Sequence, residues 1–600
     1  MIWRKPRGRP PQSLSSGNIV TIALELYRSQ GNRHFLLSLF AHAWFFLISL
    51  GVMVGLLIFL FVSAIAAGVS QSPVGFIIIF GLGLLVACPF FFYGLARFTA
   101  SGGLISRRIL STLEQNEETE ETARTYIFPR TLTFLWSNLW AGSILILVYA
   151  LLGLFLYVMY LGLWPIVQSL EFLDLSEGVS AVLITAFILF IIILLVGCLF
   201  VISYISARLA LADAILAIEP ECSALQAIQR SWQLTQGQAW HTLTVFFIAS
   251  ILVVPANIVA GIVNSLVIIP VAGFFVGVLL FPLWQGIKTV MYVDLRVRNE
   301  GAGFAVRRSI APPMRWLRRV CLQTPESIEL DFALAGIGSR VLAWLLDQLI
   351  LYVTLFLVSF LVIYLYLFGL LPFLTEAFSI SDDTLNLWAL SFYLLGMFFI
   401  YNGYYIYFET LWQGQTPGKR FAEIRVVQDN GRPIGLREAT LRSLLQSVDF
   451  TFFGIGAFLI ALTKSEKRLG DMAAGTLVIQ DEQATRQAPQ QQAVSPEAKE
   501  LAQWLGDRPG VDRVTGEQYL MVRNFLSGRQ RLSPSGRYRS AQELREQLEP
   551  MIFGDTPHPS IAPRLEAVAP EVFIEAIYLA YRVLHQTPSG TSPQDSRPPS

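Results

Sequence analysis

Residues 335–354 read AGIGSRVLAWLLDQLILYVT, an apolar helical run interrupted by Arg340 and Asp347. A charge in hydrocarbon costs roughly 2.5 to 3.5 kcal/mol on insertion scales, so such residues are buried against partners or put to use. At the helical repeat, Trp344, Asp347, Leu351 and Thr354 fall within about 40° of Arg340, and the polar residues share one stripe. Arg340 and Asp347 stand roughly 10 Å apart along the axis. Because helical side chains lean toward the amino terminus, the two are not expected to pair. Arg340 is expected to snorkel to the near interface, whereas Asp347 must find a partner, protonate or hold a cation. A carboxyl that ties helices together and a carboxyl that handles ions both meet that requirement.

The composition around this run is that of a membrane protein. Of 600 residues, 54% are hydrophobic and 14% charged, against about 25% charged in a soluble globular chain. The formal net charge of +1 says nothing about partners, although the distribution of positive charge does. Five histidines occur, none at metal-ligand spacing, and no Ser/His/Asp or Cys/His grouping stands out, so no enzyme, cofactor or metal site is expected. Cys88, Cys198, Cys222 and Cys321 show no CxxC spacing, and neither a disulfide nor a zinc site is expected. The first apolar run begins near Phe35 and is too long for a signal-peptide core.

A crossing needs about 20 apolar residues. The first half supplies six such runs, at about 37–67, 74–98, 138–163, 179–203, 241–264 and 268–292. Arg4, Lys5, Arg7, Arg9, Arg28 and Arg33 precede the first, and Arg97, Arg107, Arg108, Arg124 and Arg130 lie between the second and third. The 168–178 loop holds Glu171, Asp174 and Glu177 and no Lys or Arg, so the positive-inside rule places it outside. After the sixth run the Arg-rich stretch 294–324 is again on the cytoplasmic side and suits anionic headgroups. Two further runs, 335–371 and 387–412, bracket an acidic loop with Glu376, Asp382 and Asp383, giving about eight crossings.

Between spans, the acidic residues of 114–121 are expected to form a solvated face. Residues 210–240 read as a helix, a break at Glu219-Pro220-Glu221, and a second helix ending at Gly237, with Arg230 and Trp232 anchoring at the interface. The phrase Ala227, Arg230, Ser231, Trp232, Leu234, Thr235, Gly237 resembles the membrane regions of bacterial membrane-anchored glycerophosphodiesterases, whose catalytic barrel is absent here. That resemblance implies an architecture and no chemistry.

The second half adds further polar residues to the opening stripe. Asn402 and Glu409 lie seven apart on one face of the eighth run, beside a tyrosine-rich belt at Tyr401, Tyr404, Tyr405 and Tyr407. Gly414-Gln415-Thr416-Pro417-Gly418-Lys419 follows, and its context differs from a phosphate loop, since Arg420 comes next and a membrane run precedes it. Thr416, Pro417 and Gly418 are expected to shape a turn that parks Lys419 at the headgroups. Residues 421–427, FAEIRVV, with Asn430-Gly431 behind them, predict a small cytoplasmic β-hairpin. Arg442 and Asp449 repeat the spacing of Arg340 and Asp347, which raises an interlock in which each Arg reaches the other helix's Asp. The short apolar run 448–463 has basic flanks on both sides, so it either re-enters or crosses as a ninth helix.

Arg340 with Asp347, the GQTPGK turn, the IRVV strand and KRLGDMAAGT at 467–476 together resemble the RDD family of prokaryotic membrane proteins, over about 332–480. The resemblance implies that Arg340 opens the first helix, that Asp347 is the first family aspartate, and that Asp471, beside Arg468, or else Asp449, is the second. It implies a prokaryotic inner-membrane location and no settled activity, with cation/proton exchange the activity proposed for some members.

The organisation expected is an N-terminal cytoplasmic segment (1–34), a six-span domain (35–295), a basic connector (296–331), the second membrane module (332–480), a flexible linker (481–496), a small soluble helical module for protein contacts (497–586) and a disordered tail (587–600). Leu526, Leu544, Leu548, Phe573, Ile577 and Tyr581 are the module's expected core. The fold class is an all-α polytopic membrane protein whose partners are the bilayer and a cytoplasmic protein rather than nucleic acid. Transport of a small ion or solute and a non-catalytic scaffold are the two functions in view. The oligomeric state is left open.

Overall fold

The computed structural model describes residues 14–70, 73–114, 118–172, 177–220, 222–266, 271–300, 318–323, 329–366, 382–451, 466–481, 495–506, 511–529, 534–553 and 568–585. The basic segment before Leu14, the centres of both acidic loops, most of the basic connector, residues 452–463 of the short apolar run, the linker and the tail lie outside them.

Within the described residues the chain is an all-α polytopic membrane protein. Eight helices are long and apolar enough to cross a membrane: α2 (Gly31–Ser70), α3 (Pro73–Leu113), α5 (Thr131–Phe172), α6 (Glu177–Leu209), α9 (Ala239–Leu266), α10 (Val271–Glu300), α11 (Ile337–Leu365) and α12 (Asp382–Leu411). Their large apolar side chains point outward, with Leu85 72% and Phe356 69% exposed, as lipid-facing helices require.

Toward one end the bundle changes character. The last turns of α3 and α10 leave the apolar belt and pack with α1 (Ser16–Ser29), α4 (Glu120–Ile127), α7 (Ala212–Ile218) and α8 (Ala224–Leu234) around Ile19, Ile22, Leu104, Ile105, Ile215 and Tyr292. Short helices here start on side-chain caps: Ser15 for α1, Thr119 for α4, and a Ser223/Gln226 capping box for α8. The acidic stretch is only partly a solvated face, because Glu118 pairs with Arg107 and Glu120 with Arg108 and Arg124. Arg230 pairs with Glu219, and Trp232 lies under the Arg208 guanidinium at 4.0 Å.

Helix α1 belongs to the N-terminal segment, and its residues Gly17 to Ala23 are all buried. It runs between the six-span bundle and α11, and the two backbones nearly touch: a Cβ on Gly338 would sit 2.2 Å from the Gly17 carbonyl oxygen.

Two small antiparallel ribbons lie beside α11. Strands β1 (Arg319–Gln323) and β2 (Glu329–Ala333) pair with Arg319 opposite Ala333, so part of the basic connector is a hairpin. Strand β3 (Ile424–Gln428) pairs with β4 (Thr476–Gln480), Ile424 opposite Gln480. The hairpin expected across Asn430-Gly431 is thus replaced by a pairing of distant segments. The turn does form, but Pro433 has no N–H to continue a ladder, and only a bridge between Val427 and Pro433 closes there. Ala335 N–H donates to the Val478 carbonyl at 2.9 Å, joining the second ribbon to the start of α11.

The remaining elements of this half are α13 (Pro417–Phe421), α14 (Leu436–Thr451) and α15 (Leu469–Ala473). Beyond them, α16 (Pro496–Gly506), α17 (Gly516–Gly528), α18 (Pro534–Phe553) and α19 (Pro570–His585) enclose a separate apolar core. Leu544, Leu548, Phe573 and Ile577 are buried in it, with Leu526 and Tyr581 packed at its edge.

Candidate functional site

Asp347 is 1% exposed, on the face of α11 turned toward α12 and α13. Both carboxylate oxygens are occupied by neutral donors. Tyr404 O–H on α12 and the Gly418 backbone N–H donate to Oδ1 at 2.9 and 2.8 Å, and Thr416 O–H donates to Oδ2 at 2.6 Å. The local sequence explains the arrangement. Thr416 is the N-cap and Pro417 the first residue of α13, so bare N–H groups point at the carboxylate. A Cβ on Gly418 would fall 2.1 Å from the Ala343 carbonyl oxygen, which leaves glycine as the residue that lets this turn reach α11. One position along, Gln348 Nε2 donates to the hydroxyls of Tyr401 and Tyr405 at 3.2 and 3.3 Å.

A second tier is ionic. Lys419 donates to Glu409 Oε1, and Arg442 Nε donates to Glu409 Oε2 at 3.2 Å. Arg442, 1% exposed, also donates to Asp471 Oδ1 and to the Thr476 hydroxyl. Asp471 is fully buried and receives Arg340 Nη1 at 3.0 Å on Oδ2 as well as Arg468 Nε and backbone N–H at 3.3 and 3.2 Å. Burial alone would raise the Asp471 carboxyl, but Arg442, Arg468 and Arg340 override it and hold it far below the usual carboxylate range. Burial lowers the Lys419 ammonium, and Glu409 opposes that shift. Asn402 joins the same floor, its Oδ1 accepting from Ser443 at 3.2 Å.

Several expectations change accordingly. Arg340 does not snorkel away but donates to Asp471 and, through Nε, to the Ala335 carbonyl at 2.8 Å. Lys419 is buried against Glu409 rather than parked at headgroups. The interlock of Arg442 with Asp347 is replaced by Arg442 bound to Glu409 and Asp471. Asp449 lies on α14, and its side chain is outside the described residues. Tyr404 and Thr416 were not singled out as ligands of Asp347; the Thr-Pro-Gly pattern of a capped helix start was the available signal.

In the first half the structure does assemble a serine, a histidine and an aspartate. Ser16 Oγ lies 2.9 Å from His241 Nδ1, and His241 Nε2 lies 3.1 Å from Asp294 Oδ2. Asp294 also accepts from Leu14 N–H at 2.7 Å and Arg298 Nε at 2.6 Å. With the aspartate shared by an arginine and a backbone amide, the group latches the start of α1 to α9 and α10. A cavity of about 880 Å³ nearby, lined by Arg107, Glu118, Glu219, Arg230, Tyr292 and Arg296, has mixed-charge walls that are paired among themselves at Arg107–Glu118 and Arg230–Glu219.

No curated protein and no solved structure matches the chain, and the glycerophosphodiesterase-like phrase around Trp232 finds no support in these comparisons. Set against known families, residues 334–475 match the RDD family, so the part of the chain that holds Arg340, Asp347, the Gly414–Lys419 turn and Asp471 is an RDD family domain.

Proposed function

We propose that this protein is a non-enzymatic membrane scaffold, in which the charged residues of the RDD domain lock its helices and the C-terminal helical module receives a cytoplasmic partner. One observation carries the reading: every carboxylate oxygen of Asp347, Glu409 and Asp471 accepts a hydrogen bond from a donor within the chain. A cation entering between these helices finds no oxygen of Asp347, Glu409 or Asp471 without a donor. Lys419, Arg340, Arg442 and Arg468 already pair with Glu409 and Asp471. Asp471, held ionised by three guanidinium groups, is a poor proton carrier. The Arg-rich loops support a cytoplasmic position for the module by the positive-inside rule, and a prokaryotic inner membrane is part of this proposal.

Proton-linked transport is the second reading, favoured by Asp347 alone, since its three direct donors are neutral and a proton can replace any of them without breaking an ion pair. Flux measurements on purified protein in liposomes separate the two. With a pH gradient and Na⁺, K⁺ or Li⁺ supplied in turn, the scaffold reading expects wild type and Asp347→Asn to match protein-free vesicles. Cation-dependent proton flux in wild type that disappears in a folded Asp347→Asn variant would overturn it.

A further inference from the structure

The C-terminal module meets the membrane bundle chiefly through α18, laid against the last turn of α10. Gly536 is buried there, and a Cβ on it would stand 2.3 Å from the Arg298 carbonyl oxygen and 3.1 Å from the Asn299 carbonyl carbon. That turn of α10 already has structural work. The Arg298 side chain holds Asp294 and the Leu14 carbonyl, and the Asn299 amide donates to the Leu234 carbonyl at 2.5 Å. The module therefore leans on the residues that tie α1, α8 and α10 together.

On α18, Gly536, Ser540 and Glu543 fall within about 60° of one another, on a side distinct from Ala541, Leu544, Leu548 and Ile552, which face the module's own core. Two small residues four apart let helix backbones approach closely. The N-terminal turn of α18 meets the C-terminal turn of α10, so opposite dipole ends are in contact. This face is nevertheless poorly satisfied. Ser540 is fully buried with its Oγ unpartnered, and Glu543 Oε2 lacks a hydrogen-bond partner as well. Both regain water when the face opens, whereas the module's core is apolar and self-contained.

We propose that the C-terminal module is a reversible clamp, whose α18 face fits the carbonyl-bearing end of a helix. In the resting chain the end of α10 fills that role. On release the module's core stays folded while the first turns of α18 and the last turn of α10 lose the packing that protects their helical hydrogen bonds, baring Gly536, Ser540 and Glu543 to a partner that presents a similar helix end and freeing the Arg298–Asn299 turn. The proposed use of the released face rests on the scaffold reading; the release itself does not.

Hydrogen exchange on the full-length protein in lipid nanodiscs tests it, comparing peptides over 291–299, 534–543 and 570–580. In wild type the first two are expected to exchange together and about tenfold or more faster than the third, as a local opening below global unfolding requires. Gly536→Leu should speed exchange at 291–299 by about tenfold while leaving 570–580 unchanged, and Ser540→Ala should slow it by removing a stranded hydroxyl. Wild-type exchange at 534–543 as slow as at 570–580 would overturn the proposal. So would an unchanged 291–299 peptide in Gly536→Leu; should that variant unfold the module, the wild-type and Ser540→Ala comparisons decide. Ion flux in liposomes would refute the scaffold reading and leave the clamp standing, and a rigid module would do the reverse.

Discussion

Asp471 is the residue on which the buried charges converge, with Arg340, Arg442 and Arg468 all donating to it. Removing one partner of a buried ion pair costs about 3 to 5 kcal/mol, because the other charge is left uncompensated. Asp471→Asn, which strands three guanidinium groups, is expected to lower the unfolding midpoint in detergent more than Asp347→Asn, whose carboxyl is met directly by neutral donors. The same residue sets a pH dependence. Its carboxyl is depressed in the folded state, so its contribution is present above the unfolded value of about 3.9 and is lost as pH falls toward the folded one. Acid unfolding curves below about pH 4 should therefore be shallower in Asp471→Asn than in wild type, and parallel curves would refute this assignment. The need to bury Asp347 was legible in its position within an apolar run. Its partners were not, because Thr416 and Gly418 come from 69 and 71 residues away and Asp471 reaches Arg340 across 131.

At the scale of elements, the short helix α13 shows what local patterns reveal and what they leave out. Thr-Pro-Gly-Lys has the composition of a turn at the headgroups, and it folds as a capped helix start aimed into the protein. The Thr416 hydroxyl does two jobs, accepting from Lys419 N–H at 3.2 Å and donating to Asp347. Thr416→Val keeps the shape and loses both. A missing N-cap costs about 1 kcal/mol and an unpaired buried acceptor about 1 to 3, so a loss of roughly 2 to 4 kcal/mol is expected in denaturant unfolding. Thr416→Ser, which keeps the hydroxyl, should recover most of it. Strand β3 was legible as a strand from IRVV, but its partner was misplaced. Asn430-Gly431 is a sound turn signal, yet Pro433 stops the nearer ladder, while TLVIQ at 476–480 is almost wholly buried and pairs instead. A strand's propensity is local, and the choice between two candidate partners is settled by burial on the finished fold.

For the whole molecule, the eight crossings were written in twenty-residue apolar runs, whereas the joint between the two membrane halves is a short helix whose partners its sequence does not name. That joint is α1, a helix buried on nearly every side, whose Ile19, Ile22, Ala23 and Leu26 share an apolar stripe. Asn18, 6% exposed, accepts from Ser339 O–H at 3.1 Å and from Gln480 Nε2 at 2.7 Å, and Glu25 accepts from Arg318 at 3.0 to 3.2 Å. At the other end, Ser16 and Leu14 hold α9 and α10 through His241 and Asp294. One helix thus contributes buried contacts to both halves, and neither half can lose it without exposing Ile19, Val20 and Ile22. Coupling of this kind makes the halves unfold together. Asn18→Leu removes two of the polar links to the RDD side, strands Ser339 and Gln480, and leaves the Thr21–Gly338 bond and the latch to Asp294 untouched. Scanning calorimetry in detergent is expected to show one transition for wild type and two for Asn18→Leu, the RDD half melting first because it has lost its strut. A single transition with an unshifted midpoint in that variant would mean that the halves stand independently and that α1 belongs to the six-span bundle alone.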